Sequence, residues 1–219
     1  MLNRERVTHW LFDRLFPLFC FGCEKEGCWV CSACEDALLF LPPVWQEVSA
    51  PLRGSAAVFS YDQPVVRGIV TALKYRHAER VVPVMNDFIA RWLSDGGRDI
   101  FPPDGILVPV PLHRRRYVER GFNQAELLAI ALGHLLGQPV VRLLKRTRAT
   151  LHQTRQTRLL RWQNVDGAFA VADDAVIDGR PVILVDDVTT TGATFAACAR
   201  PLTAAGVQKI YGFAFAREL

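Results

Sequence analysis

An apolar run that leads directly into acidic and hydroxyl side chains is the feature that most constrains the fold. Residues 182–194 read Val-Ile-Leu-Val-Asp-Asp-Val-Thr-Thr-Thr-Gly-Ala-Thr. Four consecutive apolar residues are typical of a strand that is covered on both faces, as in a parallel sheet. A helix is expected from about Ala193. The segment therefore predicts a strand, a polar loop and a helix in succession.

The chemistry of this loop favours a sugar phosphate as ligand. Loops at the carboxyl ends of parallel strands bind ligands, and a helix N-terminus offers backbone N–H groups to phosphate. Gly192 allows close backbone approach, and Asp186 and Asp187 can accept hydrogen bonds from ribose hydroxyls or hold Mg²⁺. A helix cap and a solvated strand end would explain one Asp and one Thr, but not the whole run.

Two other nucleotide-binding classes lose support because their signatures are missing. The chain has no G-x-x-x-x-G-K-[ST] motif to accompany a Walker B acid, and it has no G-x-G-x-x-G motif for a dinucleotide.

In the rest of the chain, segments with the apolar pattern of strands alternate with segments that have the apolar spacing of helices. We expect strands at 56–61, 106–111, 140–144, 167–171, 181–185 and 209–215, and helices at 32–40, 65–75, 82–93, 123–136 and 193–205, the last kinked or interrupted at Pro201. Near-continuous apolar strands between helices predict an α/β fold with a parallel sheet flanked by helices on both faces.

Five of the six cysteines lie close together near the amino terminus, as Cys20, Cys23, Cys28, Cys31 and Cys34. Pairs at C-x-x-C spacing favour a structural zinc site of four thiolates in a reducing compartment. The pair Cys20 and Cys23 is completed by Cys28 and Cys31 or by Cys31 and Cys34. The first set leaves only four residues between the pairs, and the second leaves seven.

Positive charge is concentrated in one stretch of the chain. Residues 113–161 hold eleven Lys/Arg against two Glu, although the net charge of the whole chain is +4. Such a segment can attract polyanions, including nucleic acid, pyrophosphate and nucleotides.

Residues 182–194 resemble the signature of the type I phosphoribosyltransferases, which bind phosphoribosyl pyrophosphate (PRPP). The resemblance implies that Asp186 and Asp187 contact the ribose hydroxyls, with Mg²⁺ bound alongside PRPP. It implies a 5-phosphate loop formed by Thr189, Thr190, Thr191, Gly192, Ala193 and Thr194. Purine-salvage members keep an Asp at the position of Thr190, so the resemblance argues against purine salvage.

Nearly the whole chain resembles the ComF family, which is related to competence protein F. The resemblance rests on Leu73-Lys74-Tyr75, residues 108–111, His113 to Arg116, Arg120-Gly121-Phe122-Asn123-Gln124, Thr150 with Gln153, 161–169 with Asn164, and the double C-x-x-C. It implies a link to natural competence and DNA uptake, and it favours Cys20, Cys23, Cys31 and Cys34 as zinc ligands.

These resemblances lead to a division of the chain. We expect a lead-in and zinc module over 1–45 and a phosphoribosyltransferase-like domain over 46–219. Within that domain we expect a hood at 54–100, a core at 104–219 and a flexible flap at 146–164. Arg114, Arg115, Arg120 and Lys74 are candidates for the pyrophosphate side of the site, because an enzyme must steady the leaving pyrophosphate with cations.

Two functions follow as hypotheses. One is Mg²⁺-dependent transfer of a phosphoribosyl group from PRPP to an acceptor, with no residue assigned as catalytic. The other is a sensor of PRPP or nucleotide, or an accessory protein that handles single-stranded DNA or contacts a competence-machinery protein. No run of 18 apolar residues and no secretory signal is seen, so we expect no membrane insertion and a cytoplasmic location.

Overall fold

The computed structural model describes residues 18–48, 50–74, 78–148 and 165–218, and for residues 78 and 79 it describes the backbone alone. Most of the expected lead-in, and residues 149–164 of the expected flap, lie outside these ranges. The strands within them are β1 (Gly54–Ser60), β2 (Ile106–Pro109), β3 (Leu144–Arg146), β4 (Phe169–Val171), β5 (Val182–Thr189) and β6 (Ile210–Arg217). The described helices are α1 (Ser32–Asp36), α2 (Pro64–Leu73), α3 (Ala78–Ser94), α4 (Arg114–Arg120), α5 (Gln124–Leu136) and α6 (Ala193–Ala204), with a short 3₁₀ helix at Gly97–Ile100.

Four strands form one parallel sheet in the order β1-β6-β5-β2. β5 and β6 lie at its centre, and residues 182–185 and 213–216 are almost fully buried. This confirms the α/β class with a parallel sheet, which the apolar run at 182–185 predicts.

Helices cover both faces of this sheet. Helices α2, α3 and α5 pack on one face around Phe59, Trp92 and Phe213, and α6 packs on the other face through Phe195 and Leu202. The amphipathic spacing of Val66, Ile69, Val70 and Leu73 explains why α2 buries one side. Among the described residues, no helix is long and apolar enough to cross a membrane.

Two expected strands do not join the parallel sheet as predicted. Residue 140 makes a single bridge to Leu107, and the strand that follows is β3, which pairs with β4 in a separate antiparallel ribbon. The register places Arg146 opposite Phe169. A strand at 140–144 is therefore wrong, because only the hydrogen bonds around Leu107 extend the sheet there.

Three further boundaries differ from the sequence-based expectation. The first helix ends at Asp36 rather than at 40. The arginine-rich stretch after β2, where no helix was expected, forms the helix α4, with the His113 Nδ1 accepting a hydrogen bond from the Arg115 amide at 3.2 Å. Pro201 does not interrupt α6, which continues to Ala204.

Candidate functional site

The two aspartates lie inside β5 rather than after it. The expectation that the strand ends at 185 is wrong, because Asp186 and Val188 still pair with Ala214 and Ala216 of β6. The Asp187 amide donates to the Asp186 Oδ1 at 2.9 Å, and the Val188 amide donates to the Asp187 Oδ1 at 3.0 Å. Backbone pairing thus fixes both carboxylates at the carboxyl end of the sheet.

Lys74 brings a positive charge to this acid pair from the end of α2. Its Nζ lies 3.3 Å from the Asp187 Oδ2, and the side chain of Asp187 is only 14% exposed. Lys74 is the residue that follows the last turn of α2. The helix therefore ends where its lysine can partly neutralise the two acids.

The surroundings of the acid pair disfavour two negative charges. Burial raises the pKa of Asp186 well above its ordinary value, and the neighbouring Asp187 raises it further, while Lys74 acts in the opposite direction. Two carboxylates side by side resist ionising together, and a cation or a hydroxyl donor relieves that repulsion. The pair is therefore suited to bind sugar hydroxyls or a divalent ion.

The loop after the acids leads into the first turn of α6. Gly192 is the N-cap of that helix and has a φ of +73°, a conformation that favours glycine. The Ala193 amide is within 3.4 Å of the Thr191 Oγ1. The loop thus presents threonine hydroxyls and the amino end of a 12-residue helix together, as an anion requires.

A cavity of about 550 Å³ opens beside this loop. Four of the eight residues predicted to bind PRPP line it, together with residues from the chain before β1, from β1 itself, from α6 and from the end of β6. The lining residues are Glu47, Val48, Leu52, Ser55, Thr189, Thr190, Thr191, Gly192, Ala196, Arg217 and Glu218. A cavity of this size accommodates a ligand as large as a nucleotide.

The carboxyl end of β2 lies next to the part of β5 that directly precedes the acid pair, since Pro109 pairs with Val185. Asn123 holds the intervening segment in place: its Nδ2 donates to the Val110 carbonyl at 3.0 Å, and its Oδ1 accepts from the Ala125 amide at 3.2 Å. This asparagine joins the start of α5 to the end of β2. The hydrogen bonds of Asn123 therefore hold together the chain before and after α4, beside β5.

The structure places all three candidate arginines on α4. Arg114 and Arg115 are exposed, Arg120 lies in the last turn, and the Arg115 Nε pairs with the Glu119 Oε1 at 3.1 Å. Among the residues that the structure describes, no ion pair joins any of the three to the acid pair. Lys74 is thus the predicted cation that the structure brings into direct contact with an aspartate.

Two arginines that sequence reasoning did not single out lie near the site, Arg146 half-buried and Arg217 buried. The Arg146 guanidinium lies 5.2 Å from the centre of the Phe169 ring, and burial lowers the pKa of Arg146, with the Arg116 charge adding to this effect. Arg217 ends β6 and is 8% exposed. Arg146 belongs to the basic segment 113–161 that the sequence shows, whereas no sequence motif indicates Arg217.

The predicted metal ligands come together at the amino end of the described chain. The sulfur atoms of Cys20, Cys23, Cys31 and Cys34 all lie within 4.8 Å of one another, and Cys28 is not among them. A tetrahedral zinc ion with 2.3 Å bonds to sulfur requires separations of this order. The four residues therefore fit one metal ion, as the preferred of the two cysteine sets predicts.

Local backbone geometry and charge support a cation at this cluster. The Cys31 amide donates to the Cys20 Sγ at 3.3 Å, and a side chain at Gly22 would meet the Cys34 Sγ. Burial acts to raise the pKa of Cys20, but backbone hydrogen bonds led by that from Cys31 lower it to about 6. Hydrogen bonds with Cys23 and Cys31, burial and the charge of Cys20 raise the pKa of Cys34 to about 12. A bound cation would allow all four thiols to ionise.

The segment that holds the four clustered cysteines, residues 20–35, is the cysteine module, and it packs on α2 and α3. Phe21 stacks on Trp29 with ring centres 5.0 Å apart, and a side chain at Gly68 of α2 would collide with the Phe21 ring. The Arg91 Nη1 of α3 pairs with the Glu35 Oε1 at 2.6 Å. An apolar contact and an exposed ion pair thus attach the cluster to the helices beside the sheet.

Curated proteins with related sequences match most of this chain. The DNA utilization protein YhgH of Escherichia coli strain K12 is 31% identical over 181 residues, which are 81% of this chain and 75% of the relative. The competence protein ComFC of Bacillus subtilis strain 168 is 31% identical over 182 residues, which are 81% and 67% of the two chains.

The chain belongs to the ComF family. The competence protein F of Haemophilus influenzae is 38% identical over 117 residues, which are 52% of this chain and 51% of the relative. No family model matches the chain. Membership in the ComF family confirms the resemblance seen in the RGFNQ block and the double C-x-x-C, and it relates the chain to proteins named for competence and DNA utilization.

Proposed function

We propose that the chain binds PRPP and transfers its phosphoribosyl group to an acceptor in a Mg²⁺-dependent reaction. The observation that carries this proposal is the continuity of the site along one strand and helix. Asp186 and Asp187 lie in the carboxyl-terminal half of the central strand, Gly192 turns the backbone, and α6 begins immediately afterwards. Acceptors for ribose hydroxyls are thus followed directly by donors for a phosphate.

Each part of PRPP has a group of matching chemistry. Asp186 and Asp187 accept hydrogen bonds from the 2′ and 3′ hydroxyls, and Thr189, Thr190, Thr191, Gly192, Ala193 and Thr194 surround the 5-phosphate. Lys74, Arg114, Arg115 and Arg120 are the cations on the pyrophosphate side. Of these, Lys74 is partly buried against Asp187, whereas α4 presents Arg114 and Arg115 to solvent.

In the proposed reaction the bond between C1 of ribose and the pyrophosphate oxygen breaks. The electron pair leaves with pyrophosphate, and the acceptor supplies the pair that forms the new bond at C1. Mg²⁺ would supply positive charge to the pyrophosphate oxygens when bound. The residues of this chain orient the ribose through Asp186 and Asp187 and stabilise the leaving group with lysine and arginine.

We further propose that Cys20, Cys23, Cys31 and Cys34 bind zinc in a structural role. Four thiolates fill a tetrahedral zinc ion and leave no position open for a substrate. The domain limits at residues 45 and 46, the hood, the flap and the cytoplasmic location remain predictions of the sequence.

Calorimetric titration of PRPP with Mg²⁺ tests the main proposal. The wild-type chain is expected to bind, and a double variant Asp186→Asn with Asp187→Asn is expected to lose at least about tenfold in affinity, because hydrogen bonds to charged groups contribute about 1.5–3 kcal/mol each. Asp173→Asn with Asp174→Asn is the matched control, since these neighbouring acids are exposed. Absence of binding by the wild type would show that the proposal is wrong.

A second function, the handling of single-stranded DNA, is favoured by α4 and by the relatives' names. The seven residues of α4 include four arginines, and Tyr117 and Val118 are exposed among them. Cations that contact phosphates, next to an aromatic ring that stacks on bases, form a surface that tracks single strands. A competence-machinery protein is an alternative partner for the same surface.

Affinity for a single-stranded oligonucleotide, measured at several salt concentrations, tests this second function. We expect the logarithm of affinity to fall linearly with the logarithm of salt concentration. Arg114→Gln with Arg115→Gln should make that slope shallower, whereas Arg53→Gln with Arg67→Gln, which removes two exposed arginines elsewhere, should not. A flat salt response, or no binding, would exclude the nucleic-acid function.

A further inference from the structure

We propose that Arg217 binds the anionic group of a ligand in the cavity beside the threonine loop. The inference rests on the proposed function for the identity of that ligand, but the residue and its surroundings are independent of it. The ligand class is a small molecule that carries a phosphate or a carboxylate. That group belongs either to the 5-phosphate end of PRPP or to an anionic acceptor.

Arg217 is held rigidly beside the threonine loop. As the last residue of β6 it pairs with Thr189 in the sheet, and the Glu218 amide donates to the Thr189 carbonyl at 2.9 Å. Its Nη2 donates to both the carbonyl and the Oγ of Ser55, each at 2.8 Å. Sheet pairing and Ser55 therefore fix the guanidinium at the wall of the cavity, which both residues line.

The charge of Arg217 is buried with neutral partners. Both acceptors on Ser55 are uncharged, and among the described residues no ion pair joins Arg217 to a carboxylate, although Glu47 and Glu218 also line the cavity. Burial lowers the pKa of Arg217. A buried cation without a counter-charge is costly, and side chains of this kind are rarely buried unless they are paired. An anion in the cavity would supply the missing charge.

The rest of the cavity suits a phosphate-bearing molecule. Threonines 189–191 offer hydroxyls and the amino end of α6 faces the same space, so three kinds of donor converge there. Leu52 and Ala196 add apolar surface to one wall. A charged anchor with a few polar groups and an apolar wall is the usual composition of a small-molecule site.

Calorimetry with three probes tests the role of Arg217: inorganic phosphate, ribose 5-phosphate and PRPP with Mg²⁺. Arg217→Met should weaken binding of ribose 5-phosphate at least about tenfold, the size of one hydrogen bond to a charged group. Arg217→Lys, which keeps the charge, should lose less. Arg180→Met removes the same charge from an arginine that pairs with Asp178 on the surface, and it should change affinity less than about twofold.

A variant at an exposed residue keeps the test valid if Arg217→Met does not fold. Glu47 is exposed and lines the same cavity, so Glu47→Gln removes a negative charge without disturbing the core. Anion affinity should then rise about two- to threefold, as expected for a partly screened charge. An unchanged affinity in a folded Arg217→Met protein, or an unchanged or lower affinity in Glu47→Gln, would overturn the inference.

The probes also separate this inference from the proposed function. If inorganic phosphate binds with dependence on Arg217 while PRPP and ribose 5-phosphate do not bind, the proposed function fails and the anion site stands. If PRPP binds and depends on Asp186 but not on Arg217, the anion site alone fails. Competition between phosphate and PRPP would identify Arg217 as a 5-phosphate ligand, and simultaneous binding of both would assign it to an anionic acceptor.

Discussion

The cysteine cluster and the site at the end of β5 assemble polar groups in opposite ways. The four thiols come from a stretch of 15 residues between Cys20 and Cys34, and short turns bring them together. The second site combines two contacts that only the folded sheet provides: Lys74 with the acid pair of β5, and Arg217 with the threonine loop. One bound ion can satisfy all four thiols of the local cluster permanently. In the site assembled by the sheet, some charges stay without a counter-charge until a reversibly bound ligand supplies it.

The largest effect should come from removing one thiol of the cluster. Cys34→Ser should lower the free energy of unfolding by more than about 3 kcal/mol, because the loss of a metal-binding thiolate removes binding energy that stabilises the fold. Thermal unfolding with and without a chelator measures this. Cys28→Ser is the matched control and should keep one zinc ion per chain, as read by metal analysis. Equal loss of metal in both variants would contradict the assigned ligand set.

A smaller effect is expected for the cation of the second site. Lys74→Met should reduce stability by about 1–2 kcal/mol, since it leaves the half-buried acids without their partner, and it should also weaken PRPP binding. Lys145→Met, which breaks the exposed pair with Asp173, should cost less than about 0.5 kcal/mol. Denaturant unfolding of both variants measures the difference. Equal costs would show that Lys74 has no special electrostatic role.

Asp186→Asn should make the chain more stable than the wild type, and this gain in stability should increase as the pH rises. The folded state raises the pKa of Asp186, so the folded chain holds a proton that the unfolded chain releases, and the wild type loses stability above the ordinary carboxyl pKa of about 4. Asn avoids that loss, and the gain should grow from pH 4.5 to pH 7.5 in thermal unfolding. Asp178→Asn provides a control of opposite sign, because hydrogen bonds from Arg180 lower the pKa of Asp178. Stability gains that do not depend on pH would contradict this explanation.

The smallest effect should come from the ion pair that links the cysteine module to α3. Arg91→Met should cost less than about 1 kcal/mol, because both partners are roughly half exposed and water screens their attraction. Metal content should remain unchanged. A large loss of stability, or a loss of metal, would mean that the module depends on this contact rather than on its own thiols.

Sequence reasoning succeeded where the signal was local. Apolar runs predicted the parallel sheet, and C-x-x-C spacing with the family resemblance predicted the four clustered thiols. It failed where pairing partners decide the outcome. No strand forms over 140–144, because the contact with the parallel sheet there is a single bridge to Leu107 and the following strand, β3, pairs with β4. The strand β5 continues through the aspartates because it pairs with β6 there.

The part of the site that sequence could not provide depends on distant residues. Lys74 was a candidate through the family resemblance and its positive charge, but its contact with Asp187 depends on where α2 ends against the sheet. Arg217 carries no motif and lies 162 positions from Ser55, its hydrogen-bond partner. Such a pair becomes recognisable only when β1 and β6 are placed side by side.

A crystal structure of the chain with PRPP and Mg²⁺ would show the proposed contacts themselves. We predict ribose hydroxyls within hydrogen-bond distance of the Asp186 and Asp187 carboxylates, and the 5-phosphate against residues 189–194 at the amino end of α6. PRPP bound at another place, or with its phosphate away from that loop, would contradict the assignment of this strand and helix as the phosphoribosyl site.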